Sequence, residues 1–142
     1  MECISYKKGY KYQLYEDYST EISIKPGNDI DSDYIALSGE GLILIKKGYA
    51  WDGPSGPTID TPNFMRGSLV HDALYQLMRE QKLVKEACRK QADQILQKIC
   101  EEDGMSSARS LWVYLGVRVG GDSAASKENI NLPIKAPEAR GE

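Results

Sequence analysis

The chain has 142 residues and a net charge of −3, and 41% of its residues are hydrophobic and 27% charged. This length and composition are typical of one globular domain and exclude a disordered chain. The longest apolar stretch is too short to cross a bilayer, the N-terminus lacks the apolar run of a secretory signal, and no basic tract indicates tight nucleic-acid binding. We therefore expect a cytoplasmic protein without a membrane span and without a strong nucleic-acid signature.

The first fifty residues predict short β-strands, because tyrosines and β-branched residues are grouped between turn signals. The continuous apolar run from Leu42 to Ile45 predicts a more central strand. We expect this half of the chain to form a small antiparallel sheet.

Two helices are predicted between residue 61 and about residue 101. Thr61 is placed to cap the first helix and Pro62 to occupy its first position, and apolar residues then recur at helical spacing. The second helix spans about Val84 to Glu101 and has one apolar stripe. Asp93 falls well off that stripe.

A third helix is predicted from about Ser106 to Val119, with Gly120-Gly121 as its stop. From Asp122 onward the sequence shows no periodicity, which predicts an extended or disordered tail. The predicted class is therefore α+β. A small antiparallel sheet packs on a helical hairpin plus a third helix in residues 1–121, and a tail follows in residues 122–142.

The cysteines predict neither a disulfide nor a zinc site. The chain has three of them, and Cys88 and Cys100 stand roughly 18 Å apart if their helix rises about 1.5 Å per residue. That distance is too long for a disulfide, so we expect buried thiols. One histidine and no metal-type cysteine spacing do not predict a structural zinc site.

The candidate site centres on His71, the single histidine of the chain. On a helix His71 and Tyr75 share a face, whereas Asp72 points about 100° away from His71. A histidine can act as a general base on water when a carboxylate holds its second ring nitrogen. Three carboxylates are candidates for that role: Asp52, Asp60 and Asp93.

The loop from Trp51 to Asp60 is rich in glycine and proline and offers backbone carbonyl groups beside Asp52. Together with Asp72, these oxygens would suit a hard divalent cation such as calcium. Ser55 lacks the strand-turn-helix context of a nucleophile, so we expect it to form hydrogen bonds within the loop. The sequence thus contains the parts of a metal-assisted hydrolase in outline.

The same polar residues have structural alternatives. His71 and Asp72 could instead bond the loop to the first helix and satisfy buried backbone groups. Arg118 could pair with the carboxylate of Asp52, Asp72 or Asp93. Alternatively, its charge could only stabilise the C-terminus of its own helix. Arg109 lies on the opposite side of that helix, so at most one of the two arginines lines the site.

A Gly-Pro-Asp loop followed by a helix with His71-Asp72-x-x-Tyr75 resembles the calcium loop and catalytic helix of phospholipase A2. The resemblance implies that His71 activates water, that Asp72 and loop carbonyls hold calcium, and that Asp93 of the second helix orients His71. The chain departs from that family because it has no cysteine in the loop or first helix. The secreted enzymes pin their helix pair with disulfides from these positions.

Several separated motifs follow one another between about residues 48 and 121: Asp52-Gly53-x-Ser55, Val70-His71-Asp72-x-Leu74-Tyr75, Ala92-Asp93, Arg109, and Val117-Arg118-x-Gly120-Gly121. In this order they resemble a family of small uncharacterised proteins of bacteriophages and prophages. That resemblance implies a phage origin and a sheet packed on a helical hairpin with one more helix, but no reaction. Pro54 and the elaboration at 56–60 depart from the family pattern.

Three functions are compatible with these features. The first is a metal-assisted hydrolase with a site formed by His71, Tyr75 and the loop. The second is a non-catalytic phage protein that sequesters a nucleotide-like host defence signal or blocks a host protein. The third is a virion component, with the tail as an assembly arm and a second copy as a possible partner. The hydrolase requires a carboxylate on one ring nitrogen of His71 and open space at the other.

Overall fold

The computed structural model describes residues 6–7, 12–51, 62–122 and 125–126. Within these residues the chain forms seven short strands and then three helices, which confirms the predicted α+β class. The strands are β1 (Tyr6–Lys7), β2 (Tyr12–Leu14), β3 (Tyr18–Glu21), β4 (Ile30–Asp31), β5 (Ile35–Leu37), β6 (Leu42–Ile45) and β7 (Ala50–Trp51). The helices are α1 (Pro62–Arg79), α2 (Lys85–Glu102) and α3 (Ser107–Gly120).

Two predicted features lie outside the described residues. One is the predicted loop beyond Trp51, with Asp52, Ser55 and Asp60, together with the predicted Thr61 cap, all within residues 52–61. The other is the tail from residue 127 to residue 142.

The described strands form two antiparallel sheets. One has the strand order β1-β2-β7 and the other β3-β6-β5-β4. Strand β6 is the predicted central run, and its Ile45 pairs with Tyr18 on one side and Ile35 on the other. Ile43 and Ile45 are fully buried while Leu42 is 48% exposed. The strand therefore faces the core on one side only, as strands of antiparallel sheets commonly do.

Helix α1 is the central element of the fold, since most of its residues are buried. Leu74 and its neighbours pack against the strands in the main core, while Phe64 joins Cys100 of α2 in a second, smaller core. Gly67 allows the close approach of α1 to α2, because a Cβ there would stand 2.9 Å from Sγ of Cys100. None of the described helices is long and apolar enough to cross a membrane.

The described residues on either side of 52–61 both belong to α1 or contact it. Pro62 is the first residue of α1. Trp51, the last residue of β7, is buried, and its indole Nε1 donates to Oγ of Ser68 at 3.0 Å. Ser68 lies three residues before His71, which is about one helical turn. The chain therefore enters residues 52–61 close to the candidate site.

Helix α3 begins and ends close to the predicted positions. Oγ of Ser106 accepts a hydrogen bond from the Arg109 backbone N–H at 3.2 Å, which makes it the N-cap. Beyond Gly121 the chain still packs on the domain: Asp122 pairs with Lys85 at 3.0 Å and Ala125 is buried in the main core. Packing thus extends into the segment that the sequence predicts as the start of the tail.

Of the two thiols on α2, Cys100 is fully buried as predicted, whereas Cys88 is only partly buried. Burial raises the pKa of both, and that of Cys100 reaches about 12. Neither thiol is therefore a ready nucleophile.

Candidate functional site

The single histidine lies in the middle of α1, in the interior of the protein. His71 is 6% exposed and Tyr75 is 3% exposed. Their rings lie on one face of α1, as the spacing predicts, with centroids 4.2 Å apart. Both side chains point to the same residue of α2.

That residue is Asp93, whose side chain is completely buried. Nε2 of His71 lies 2.7 Å from Oδ1 of Asp93. The hydroxyl of Tyr75 donates to the same Oδ1 at 2.6 Å. The structure therefore brings together three of the predicted site residues, with Asp93 between the other two.

Arg118 of α3 completes the contacts of this carboxylate. Its Nη1 donates to Oδ2 of Asp93 at 2.9 Å, so of the alternatives open to Arg118 the structure has the pairing with Asp93. Donors from α1 and α3 thus meet on one carboxylate of α2. Arg109 lies at the other end of α3, where its backbone N–H donates to the capping Ser106, and it is not among the described contacts of Asp93.

The charge of Asp93 determines which nitrogen of His71 carries the proton. Burial alone would raise the pKa of Asp93, but the hydrogen bonds from His71, Tyr75 and Arg118 outweigh it and hold that pKa below its usual value. An ionised carboxylate can only accept hydrogen bonds, so Nε2 of His71 is the donor. In the neutral ring Nδ1 then carries the lone pair. Within the described part of the chain, no hydrogen bond reaches Nδ1.

Tyr75 stays a donor in this arrangement. Its burial and the negative charge of Asp93 raise the pKa of its hydroxyl, which keeps the proton at neutral pH. The carboxylate accordingly receives three hydrogen bonds, and its position is fixed from two sides.

Two further residues contact this site, and the sequence did not predict a place in it for either. Arg89 lies one turn before Asp93 on α2, with Nη1 3.7 Å from Oδ2, and it donates to the carbonyl oxygens of Val117 and Arg118 at the end of α3. Its i, i+4 spacing to Asp93 is the sequence feature that could have revealed it. The other is Gly121, where a Cβ would stand 2.5 Å from the Tyr75 hydroxyl.

Asp72, the predicted metal ligand, is half-buried and lies on a different side of α1 from the Asp93 cluster. Burial and the charge of Asp72 together raise the pKa of Tyr49, which places this carboxylate near the end of the sheet region. Within the described ranges, no group of three or more His, Cys, Asp or Glu side chains could hold a metal ion. The described residues alone therefore do not fit a cation site, and Asp52 and Ser55 lie outside them.

A second buried polar cluster lies near the first turn of α1. Arg66 donates to both carboxylate oxygens of Asp103, to Glu102 and to the hydroxyl of Tyr18. A cavity of about 410 Å³ beside it is lined by aliphatic side chains together with the charged side chains of Glu21, Arg66, Lys98 and Glu102, and none of the predicted site residues that the structure describes lines it. The cluster joins the helices to β3, and its arginine pairs with both carboxylates.

Comparison with known protein families matches residues 28–117 to a family described as a protein of unknown function, DUF1353. The matched segment covers more than half of the chain and includes His71, Tyr75 and Asp93. Neither the curated proteins nor the solved structures gave a match.

Proposed function

We propose that this chain, which belongs to the DUF1353 family of unknown function, is a hydrolase with His71 as its general base. The observation that carries the proposal is the buried Asp93 carboxylate 2.7 Å from Nε2 of His71. A histidine base needs one ring nitrogen held by an acceptor and the other available to water. Asp93 meets the first condition, and the lone pair on Nδ1 supports the second.

In the proposed step, Nδ1 of His71 accepts a proton from a water molecule while the water oxygen attacks the substrate. Asp93 stabilises the resulting imidazolium through the Nε2 hydrogen bond. The proton then passes from Nδ1 to the leaving group, and His71 returns to its neutral form. Tyr75 and Arg118 touch no reacting atom in this scheme. They are positioning residues that hold the Asp93 carboxylate.

We place the substrate on the Nδ1 side of His71, towards the end of β7 at Trp51. The support for this placement is the bond from Trp51 to Ser68, which fixes the residue before Asp52 one turn from His71 on α1. On this basis we propose Asp52 and Ser55 as substrate-binding residues. Loops carried by a rigid scaffold are common places for such contacts.

The contacts of Asp93 support the role that the resemblance to phospholipase A2 implies for it. The calcium site of that resemblance has weaker support, because Asp72 is the one predicted ligand among the described residues and no group of three potential ligands occurs there. The proposed mechanism therefore includes no step through a metal. The substrate is not carried over from that enzyme either.

The test is a hydrolysis assay of the full chain on p-nitrophenyl esters of short and long carboxylic acids and on bis-p-nitrophenyl phosphate. Each substrate is assayed with EDTA and with added calcium. We expect hydrolysis of at least one substrate, and a loss of about 10²–10⁴-fold in His71→Gln, which removes the base. Tyr75→Phe should retain more activity than His71→Gln, because the His71–Asp93 contact remains.

Hydrolysis of no substrate, or an unchanged rate in His71→Gln, would contradict the proposal. An independent check uses the fact that the chain has one histidine. In a ¹⁵N spectrum of labelled imidazole we expect the neutral ring to carry its proton on Nε2, with the urea-unfolded chain as the reference for an unconstrained ring. A folded protein with the Nδ1–H form has no base at Nδ1.

The proposal includes an origin in a bacteriophage or prophage, supported by the motifs around Asp52, His71 and Arg118. Mass spectrometry of infected-cell lysate and of purified particles tests the origin and separates the other two functions. Peptides of this chain in the particles would favour the virion component. Peptides in lysate alone, together with a small molecule that copurifies with the His71→Gln variant, would favour the non-catalytic binding protein.

A further inference from the structure

The outward face of α3 is apolar. Four large side chains of α3 are exposed by about half or more: Leu111 by 49%, Trp112 by 56%, Leu115 by 51% and Val119 by 87%. At 100° per residue they fall on one side of the helix. The opposite side is also apolar, since Val113 and Val117 pack on the smaller core. A helix that is apolar on two sides is typical of one buried between two partners.

The exposed face is large for a surface helix. From the exposed fractions, the four side chains leave roughly 450 Å² of apolar surface open, which is in the range of patches that often serve as interaction sites. Helix α3 has no acidic residue, and its charged residues Arg109 and Arg118 lie at the flanks of this face. The face itself therefore offers shape and apolar area rather than charge.

Small residues alternate with large ones on this face. Ala108 lies on it and Gly116 lies at its edge beside Trp112, and a Cβ on Gly116 would meet no atom within 4 Å. If two α3 helices cross antiparallel about a two-fold axis level with Tyr114, Trp112 of each helix lies opposite Gly116 of the other. One helix thus supplies both a projection and the space that receives it, which is what a two-fold interface requires.

We infer that this face of α3 binds the same face of a second copy of the chain. Two copies would together cover roughly 900 Å² of apolar surface, and the flanking polar atoms would bring the interface near the ~1,000 Å² that a specific interface needs. The inference does not depend on the hydrolase proposal. Because Arg118 flanks the face and is 29% exposed, the dimer would also shield the Arg118–Asp93 ion pair from water.

Sedimentation equilibrium of the full chain over a concentration series tests the dimer. We expect a monomer–dimer equilibrium that Leu115→Glu weakens by roughly thirtyfold or more, because that change buries an unpaired charge at the centre of the interface. Val84→Glu is the matched control: Val84 is 63% exposed and lies before α2. A wild-type chain that is monomeric throughout, or equal weakening by Val84→Glu, would overturn the inference.

A membrane surface could also cover an apolar helix flanked by arginines, and Gly116→Leu separates the two cases. This change enlarges the apolar face but fills the space opposite Trp112 of the second copy. The variant should fold, because the space around Gly116 is open. We expect it to be monomeric and absent from the pellet of phosphatidylcholine–phosphatidylglycerol vesicles. A dimeric Gly116→Leu, or wild type that sediments with vesicles and does so more strongly as Gly116→Leu, would refute the inference.

Discussion

Replacing Gly121 by alanine tests how tightly the end of α3 packs against the site. Gly121 has φ −90° and ψ −9°, which alanine also adopts, so the change acts through space alone. The new Cβ would stand 2.5 Å from the Tyr75 hydroxyl and 2.5 Å from the carbonyl oxygen of Val117. Overpacking of this kind costs about 1–3 kcal/mol, and a weakened Tyr75–Asp93 hydrogen bond adds about 1 kcal/mol. We expect the free energy of unfolding to fall by about 2–4 kcal/mol.

Urea denaturation followed by circular dichroism measures this change. Gly120→Ala is the matched control, because a Cβ on Gly120 meets nothing within 4 Å and gains about 0.5–1 kcal/mol in helix propensity. In a Tyr75→Phe background, Gly121→Ala should cost less, since the hydroxyl that it meets is gone. Equal denaturation midpoints for Gly120→Ala and Gly121→Ala would refute the reasoning.

Three further predictions concern buried groups: the Asp93 carboxylate, the Arg66 guanidinium and the Cys100 thiol. Asp93→Asn should lower the free energy of unfolding by about 2–4 kcal/mol at neutral pH, and Asp122→Asn, at an exposed ion pair, should change it far less. The pKa of Asp93 is lowered in the fold, so its ionised carboxylate stabilises the fold above about pH 4, and this stabilisation is lost as the pH falls through the folded pKa. A difference in free energy of unfolding between wild type and Asp93→Asn that stays constant in acid would contradict this. Arg66→Met should cost about 3–5 kcal/mol in urea denaturation, because it leaves the buried Asp103 carboxylate without its cation, and a loss within error would be the opposite result. Cys100, with its pKa near 12, should be alkylated much more slowly in the folded than in the unfolded chain by peptide mapping, and equal rates would argue against its burial.

The helix starts that the structure confirms are set by residues within one turn of the chain. Pro62 opens α1 and Ser106 caps α3 because these positions depend on the backbone of one turn. The division of the strands into two sheets is instead set by contacts between residues far apart in the sequence. Tyr12 pairs with Trp51 across most of the first half of the chain, and partners at that separation are chosen by packing rather than by local sequence.

The candidate site likewise has one part that the local sequence predicts and one part that depends on packing between helices. His71 and Tyr75 share a face because helical spacing alone places them together. Asp93 lies off the apolar stripe of α2, so periodicity does not predict its burial. It is buried because α2 packs against α1 on one side and against α3 on another, and the second contact brings Arg118 to its carboxylate. A helix between two partners has two buried faces, and a single stripe reveals only one of them.

Asp93 belongs both to the fold and to the proposed chemistry, so loss of activity in a variant of Asp93 alone would not distinguish the two roles. The two amide replacements of His71 do distinguish them. Glutamine places an amide N–H near the position of Nε2 and can keep the bond to Asp93, whereas asparagine reaches only as far as Nδ1. We expect His71→Asn to lower the free energy of unfolding by about 1.5–3 kcal/mol, the usual size of a hydrogen bond to a charged group, and His71→Gln to lower it less.

Both replacements lack a basic nitrogen, so both should abolish hydrolysis if His71 is the base. Urea denaturation and the ester assay on the same preparations measure the two effects separately. If activity followed stability, with His71→Gln active and His71→Asn inactive, His71 would serve only to hold Asp93. Loss of activity in both variants, with stability kept in His71→Gln, would assign the chemistry to Nδ1, the ring nitrogen that no hydrogen bond from the described residues reaches.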